Sequence, residues 1–385
     1  MRILLLYVSA VSGHRRAAEA IAEAFHKFYP EVEVHQENLF QHGNSFIRCL
    51  LDSFYYAIIK LTPWLWDLIW DSQTVYWLTY GIRNLLYQLN YHRLYREVIY
   101  PYQPQAIICT HNIPCALCSL IKREKKMNFL LTAIPTDFSL HPYWYYPAVN
   151  LYLIPHEGMR AKLIKQGVKD NQIKSTGIPV SFGFGRKENQ KKLKREWGLD
   201  PDLFTILLMG GALGLGPIEK IVYTLSDMNL SLQLLVVTGI NRHLKRKLEQ
   251  LQSRINFPLR IWGFINEIDE LMEVSNLLIS KPGGLTTAEA LSKAIPMGIV
   301  DSLAGQERRN RELLLERGVA FDLREGREIA RLVARLSDGS FDWEDWKKKV
   351  RELARPHASW EITRQVIMNL KKKGINVKSQ PFQKV

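Results

Sequence analysis

The sequence predicts an α/β protein of two domains, each a parallel sheet wound by helices. Three observations carry this prediction. Short apolar runs alternate with stretches of helical period along most of the 385 residues. The alternation restarts after Gly177-Ile178-Pro179-Val180. Glycine-rich turns then stand between an apolar run and a helix, where open parallel sheets bind their ligands.

The elements follow in chain order. Ile3–Val8 reads as a first strand. The run is too short for a signal-peptide core and passes straight into His14-Arg15-Arg16 and an amphipathic helix, Ala17 to Phe28. Val32–Val34 is a short strand, Ala106–Cys109 and Phe129–Ala133 are buried strands, and Leu151–Ile154 leads into a helix from Glu157 to Gln166. After the restart, Phe204–Met209, Leu232–Val237, Leu259–Trp262, Leu277–Ile279 and Met297–Val300 are strands with helices between them. The boundary is expected in the loop Pro179–Arg186, giving domains 1–178 and 179–356.

The segment Phe54–Tyr102 breaks the rhythm, holding about a third of the aromatic residues in about an eighth of the length. Trp64, Trp66, Trp70, Tyr76, Trp77 and Tyr80 alternate with Lys60, Arg83, Arg93 and Arg96. Amphipathic rings flanked by cations suit the interface of an anionic membrane leaflet. The same rings can instead fill the core of a helical insertion. Both readings stand at this point.

Composition sets the outer limits. An apolar fraction of 46% and a charged fraction of 23% are those of a folded globular protein. No apolar run approaches the ~20 residues that span a bilayer. The net charge of +14 calls for an acidic partner: nucleic acid, anionic lipid or phosphorylated substrate. No helix-turn-helix, zinc-finger or aromatic RNA-binding signature accompanies it, so no nucleic-acid partner is expected. Four cysteines are too few for a disulfide framework. Cys115-Ala116-Leu117-Cys118 has CxxC spacing with Cys109 and His111 upstream, yet no second ligand pair follows. Pro114 opens a helix that puts both thiols on one apolar face.

Four turns carry chemistry. In Lys281-Pro282-Gly283-Gly284, followed by Thr286, a strand end, bare backbone N–H groups and a helix start converge where a nucleotide phosphate can sit. Glu289 lies a helical turn further in, within reach of a ribose hydroxyl. Met209-Gly210-Gly211-Ala212-Leu213-Gly214-Leu215-Gly216 is a second such turn, before a helix from Pro217. After the first strand, His14 stands at the equivalent edge of the first sheet, as a general base or a donor to a substrate oxygen. Asp137 ends the Phe129–Ala133 region, where its carboxylate either deprotonates a hydroxyl or caps the next turn. His141 and Trp144 add a polar and an apolar contact. Asp200-Pro201-Asp202 has a metal-binding shape, but turn chemistry explains it and no metal is assigned.

Together these segments resemble the monogalactosyldiacylglycerol synthase and processive diacylglycerol glucosyltransferase family, relatives of the enzyme that adds N-acetylglucosamine to the peptidoglycan lipid precursor. The resemblance runs from the first strand to about Gly318. Its carriers are Gly13-His14, Thr136-Asp137 with His141 and Trp144, and Gly177-Ile178-Pro179-Val180. In the second half they are Gly210-Gly211 with Gly214 and Gly216, Val237-Thr238-Gly239 with Asn241, Gly263-Phe264, Lys281 to Thr286 with Glu289, and Gly305-Gln306-Glu307 with Asn310.

The resemblance implies a GT-B fold, two Rossmann-like domains facing across a cleft, with residues 357–385 returning to the first domain as a helix and basic tail. It implies an inverting transfer of hexose from UDP-glucose or UDP-galactose to diacylglycerol, without a metal or other cofactor. Asp137 or His14 would take the proton. Gly211 and Gly214 would approach the diphosphate together with the Lys281–Thr286 turn. Gly263 and Phe264 would frame the uracil, Glu289 would hold the ribose, and Gln306 and Glu307 would contact sugar or phosphate oxygens. His141, Trp144, Trp64, Trp66, Trp70 and Trp77 would serve the acceptor or the membrane. The protein is thereby expected on the cytoplasmic face of the cell membrane, with anionic lipids as partners. A polyprenyl-linked or other lipid acceptor, and a non-enzymatic basic nucleotide-binding or nucleic-acid-binding role, are the alternatives.

Overall fold

The computed structural model describes residues 1–41, 72–228, 230–300, 305–323 and 326–375. The chain divides into two compact units. One comprises Met1–Ser181 and the C-terminal segment from His357; the other runs from Phe182 to Pro356, apart from a short stretch ending at Gln306.

The first unit is a six-stranded sheet in the order β2-β1-β3-β4-β5-β6. Its strands are β1 (Arg2–Tyr7), β2 (Glu33–Asn38), β3 (Ala106–Cys109), β4 (Leu130–Ala133), β5 (Leu151–Ile154) and β6 (Ile173–Ser175). Every pairing is parallel. The central strands are buried on both faces, which is why they read as unbroken apolar runs rather than alternating ones. Helix α1 (Gly13–Phe28) begins where the Ser12 hydroxyl accepts the Arg15 N–H. Its alanines, Ala17 to Ala24, permit close packing, and the C-terminal helix Ala358–Lys371 lies against it. The hydroxyl of buried Ser359 donates to the Val180 carbonyl, tying that helix to the end of this unit.

Residues 54–71 of the aromatic segment lie outside the described residues. Beyond them, α2 (Tyr80–Leu94) and α3 (Asn112–Glu124) pack together. Tyr91, Leu94, Val98 and Ile99 enter the core of the unit, with Tyr87, Tyr95 and Tyr102 partly buried against it. These aromatics are core residues. Leu78, Leu85 and Tyr100 instead point outward, at 77%, 59% and 59% exposure.

The second unit repeats the plan in the order β12-β11-β10-β7-β8-β9, again all parallel. Its strands are β7 (Phe204–Met209), β8 (Leu232–Val237), β9 (Leu259–Trp262), β10 (Leu277–Ser280), β11 (Met297–Ile299) and β12 (Ala320–Asp322). The helices that matter for the site are α4 (Ile218–Ser226), α5 (Arg242–Leu251), α6 (Gly284–Lys293) and α7 (Gln306–Glu316).

The sequence reading misses β6 and β12 and shortens β2. All three are edge strands; β6 and β12 are three residues long and β2 is largely polar, so none presents an apolar run. The helix expected over Glu157–Gln166 is a 3-10 turn, Glu157–Met159, followed by a single α segment, Arg160–Lys165.

Candidate active site

In the first unit the C-terminal ends of β1, β3 and β4 bring together residues far apart in the chain. His14 sits in the first turn of α1, half buried. Its Nδ1 lies 3.0 Å from the Thr110 carbonyl oxygen and 2.8 Å from the Thr136 hydroxyl. A carbonyl oxygen only accepts, so Nδ1 carries the proton and Nε2 holds the free lone pair. Burial lowers the His14 pKa to about 4, opposed in part by the Thr110 hydrogen bond, so the ring is neutral at pH 7.

Two further imidazoles adopt the opposite tautomer. His111 caps α3, its Nδ1 accepting the Ile113 N–H at 3.1 Å. His141 caps a short turn, its Nδ1 accepting the Tyr143 N–H at 3.2 Å. With Nδ1 accepting, each neutral ring carries its proton on Nε2. Burial lowers His141 to about 3. It lowers His111 well below the usual histidine range, with His14 and His141 adding to the effect. The His14 and His111 rings meet edge to face, 4.7 Å between centroids.

Asp137 follows Thr136 directly and is half buried. Its turn is fixed from behind, where His156 Nε2 donates to the Phe138 carbonyl at 2.9 Å. His141 is only 5% exposed, and Trp144, expected as an apolar contact for the acceptor, is 4% exposed and belongs to the core. Its turn, Pro142–Trp144, lies against α3. Trp64, Trp66 and Trp70 lie outside the described residues, as does the side chain of Trp77, whose backbone is in the helix Gln73–Leu78.

In the second unit the turns after β7, β8 and β10 gather at one sheet edge. The loops after β7 and β8 interlock backbone to backbone, with the Ile240 N–H donating to the Ala212 carbonyl at 2.9 Å. A Cβ on Gly214 would meet the Thr238 carbonyl at 2.1 Å, so this glycine, with its φ of +60°, is required by packing. Gly211 and Gly283 differ. Gly211 needs its positive φ of +68°, yet a Cβ there would meet nothing nearer than Lys281 Cε at 3.5 Å. Gly283 has an ordinary φ, and its nearest neighbour would be Glu307 Oε1 at 4.0 Å. Both leave room beside their Cα, while the Gly283 N–H itself donates to the Lys281 carbonyl at 3.0 Å.

The Lys281–Gly284 turn is held by α7. Lys281 Nζ pairs with Glu307 Oε1 at 2.7 Å, and the amide of fully buried Asn310 donates to the Pro282 carbonyl at 3.0 Å. Gly283 is the N-cap of α6, followed by buried Gly284, half-buried Thr286 and, at 5% exposure, Glu289. Gly263 is half buried after β9, and Phe264 beside it is 53% exposed. Gln306 begins α7. Asp200 and Asp202 make a turn, Asp202 N–H donating to Asp200 Oδ1 at 2.9 Å, with Asp202 paired to Lys191. Cys109, Cys115 and Cys118 are buried and free. Among the described residues no cluster of His, Cys, Asp and Glu is placed to hold a metal ion.

Sequence reasoning overlooked Thr110 and His111 as parts of this site. The signal was present: Cys109-Thr110-His111 ends β3 with a polar pair, as Gly13-His14 follows β1. In sequence, His111 stands out only as an upstream neighbour of the cysteines.

Comparison with known proteins gives the same division of the chain. Residues 14–180 match the profile of the monogalactosyldiacylglycerol (MGDG) synthase family, and residues 205–356 that of the glycosyltransferase family 28 C-terminal domain. The chain is 31% identical over 382 residues to the chloroplastic monogalactosyldiacylglycerol synthase of Spinacia oleracea, covering 94% of this chain and 71% of the relative. It is 26% identical over 369 residues to the processive diacylglycerol beta-glucosyltransferase of Bacillus licheniformis, covering 95% and 94%. Among solved structures, MurG of Acinetobacter baumannii matches with a TM-score of 0.62 at 12% identity, over 95% of this chain and 99% of that one. UDP-GlcNAc 2-epimerase of Neisseria meningitidis, bound to UDP-GlcNAc, matches at 0.60 and 13% identity, over 96% and 100%. These structures establish the GT-B fold.

Proposed function

This chain belongs to the monogalactosyldiacylglycerol synthase family of GT-B glycosyltransferases, and we propose that it transfers a hexose from a UDP-sugar to diacylglycerol. The reaction inverts the anomeric carbon and gives a β-glycosyl glycolipid, the sugar being glucose or galactose.

The chemical half of this reading rests on one observation: the Thr110 carbonyl fixes the His14 tautomer and leaves Nε2 as a lone pair. His14 is the proton acceptor. As the acceptor hydroxyl attacks the anomeric carbon, its proton passes to Nε2, the C–O bond to UDP breaks, and the imidazolium that forms is held by Thr110 and Thr136. Because the unliganded ring is a weak base, the transfer is made at the moment of attack, when the hydroxyl is most acidic.

UDP is held by the second unit. The backbone N–H of Gly211 and the start of α6 after Gly283 are the donors for the diphosphate. The room beside both glycines supports this, since packing alone does not require Gly283. Lys281 neutralises charge and anchors the turn through Glu307. Phe264 offers an exposed ring to the uracil, and Glu289 receives the ribose. Gln306 and Glu307 serve the sugar and phosphate oxygens.

No helix among the described residues is long and apolar enough to cross a membrane. Association is peripheral, at the cytoplasmic face. Outward-pointing Leu78, Leu85 and Tyr100, which follow the Trp-rich segment in the sequence, and a charge of +14 support contact with anionic lipid. Lipids formed by the purified protein from diacylglycerol and mixed UDP-hexoses, identified by mass spectrometry, test the reading. Polyprenyl-linked acceptors, assayed beside diacylglycerol, separate the acceptor classes.

A further inference from the structure

We propose that His111 is a positioning residue for His14: a second imidazole, locked uncharged by the helix it caps, that covers the His14 ring and keeps it dry and neutral. The inference rests on the reading of His14 as proton acceptor and adds a residue to it.

Three geometric facts carry it. The His14 and His111 rings are in edge-to-face contact at 4.7 Å. Nδ1 of His111 is engaged by the Ile113 N–H, and protonating it would break the cap of α3. Thr110, which precedes His111, supplies the carbonyl that orients His14, and its own hydroxyl donates back to the His14 carbonyl at 2.9 Å. The end of β3 thus grips His14 by its backbone, its ring nitrogen and a T-shaped ring contact. A cation at His111 would stand against the very ring that must accept a proton, and the cap prevents it.

The groups around His14 come from several elements. Thr110 and His111 follow β3, Thr136 follows β4, and Asp137 is next in the chain. His141, also after β4, acts on His111. On α1 itself, Arg15 and Glu19 pair with each other at 2.7 Å in solvent. The lowered His14 and His111 pKa values agree with mutual exclusion of water and charge.

Two substitutions separate the cap from the ring. His111→Asn keeps a side-chain cap but removes the ring; His111→Phe keeps a ring but removes the cap. Histidine Cε1–H NMR titration of the full chain follows His14 without turnover, with kcat/KM against pH measured beside it. The His14 midpoint should rise by about one pH unit or more in His111→Asn, as water reaches the ring, and stay near its wild-type value in His111→Phe. The acidic limb of kcat/KM should move with it. An unmoved midpoint in folded His111→Asn would overturn the proposal, as would an equal rise in both variants. A midpoint that moves while the acidic limb stays supports the hold of His111 on His14 and counts instead against His14 as the base.

Discussion

His14 Nδ1 and the Thr136 hydroxyl stand 2.8 Å apart across 122 positions of sequence. The Thr136 hydroxyl also reaches the Thr110 carbonyl at 3.5 Å, so it accepts from the imidazole while its own proton points to the same carbonyl. Thr136→Val removes that acceptor and keeps the shape. kcat should fall roughly three- to tenfold, the worth of one such hydrogen bond, with KM for the UDP-sugar unchanged. Steady-state kinetics at saturating lipid checks this.

His14→Ala and Asp137→Asn divide the base from its neighbour. Loss of a general base costs about 10²- to 10⁴-fold in kcat, and His14→Ala should show it while UDP still binds by calorimetry. Asp137→Asn should cost less. The reverse order would move the proton to Asp137.

The pH dependence follows from burial. His14 is lowered to about 4, and the working form is the neutral ring. kcat/KM should therefore hold level below pH 6.5 and decline only as pH approaches 4. Stability has the same sign: the unfolded chain takes up the proton first, so this group's contribution is full above about 6.5 and is lost as pH falls through about 4. A pH–rate profile and a pH series of denaturant melts report the two separately.

Gly214→Ala and Gly283→Ala should fail in different ways. The first drives a Cβ to 2.1 Å from the Thr238 carbonyl at a positive φ and should lower Tm by several degrees. The second has space in the fold, so Tm should stay within about a degree while UDP affinity drops. Calorimetry on both proteins separates packing from ligand approach.

Lys281 and Glu307 are coupled through a partly buried pair at 2.7 Å. Lys281→Met leaves a carboxylate that is nearly out of solvent without this cation, and Glu307→Gln leaves the reverse. A double-mutant cycle on UDP affinity should give a coupling of about 1–2 kcal/mol.

Much of this was legible because buried parallel strands leave a plain trace. Phe204–Met209 and Leu232–Val237 are six apolar-rich positions each, bounded by turns, and the strands fall on them. Polar Glu33–Asn38 and the three residues Ile173–Ser175 left no such trace, because an edge strand does not have to be apolar. In the site, Lys281-Pro282-Gly283-Gly284 announced itself by composition, whereas its anchors do not. Asn310 meets Pro282 only through the path of α7. The His14–Thr110 contact spans 96 positions, and a local reading contains nothing of it. Gly214 shows the limit from the other side: a glycine in a phosphate-like motif whose role in the fold is loop packing. Trp144 reads as an apolar contact for the acceptor in sequence and is a core residue in space.

Purified protein given diacylglycerol and a mixture of UDP-glucose and UDP-galactose, with lipids read by mass spectrometry and UDP release followed in parallel, bears on the whole reading. Wild type should yield hexosyl-diacylglycerol with one UDP per hexose, and His14→Ala should yield at most about a hundredth as much in the same time. Bound UDP without any glycolipid, or undiminished product from His14→Ala, would contradict it.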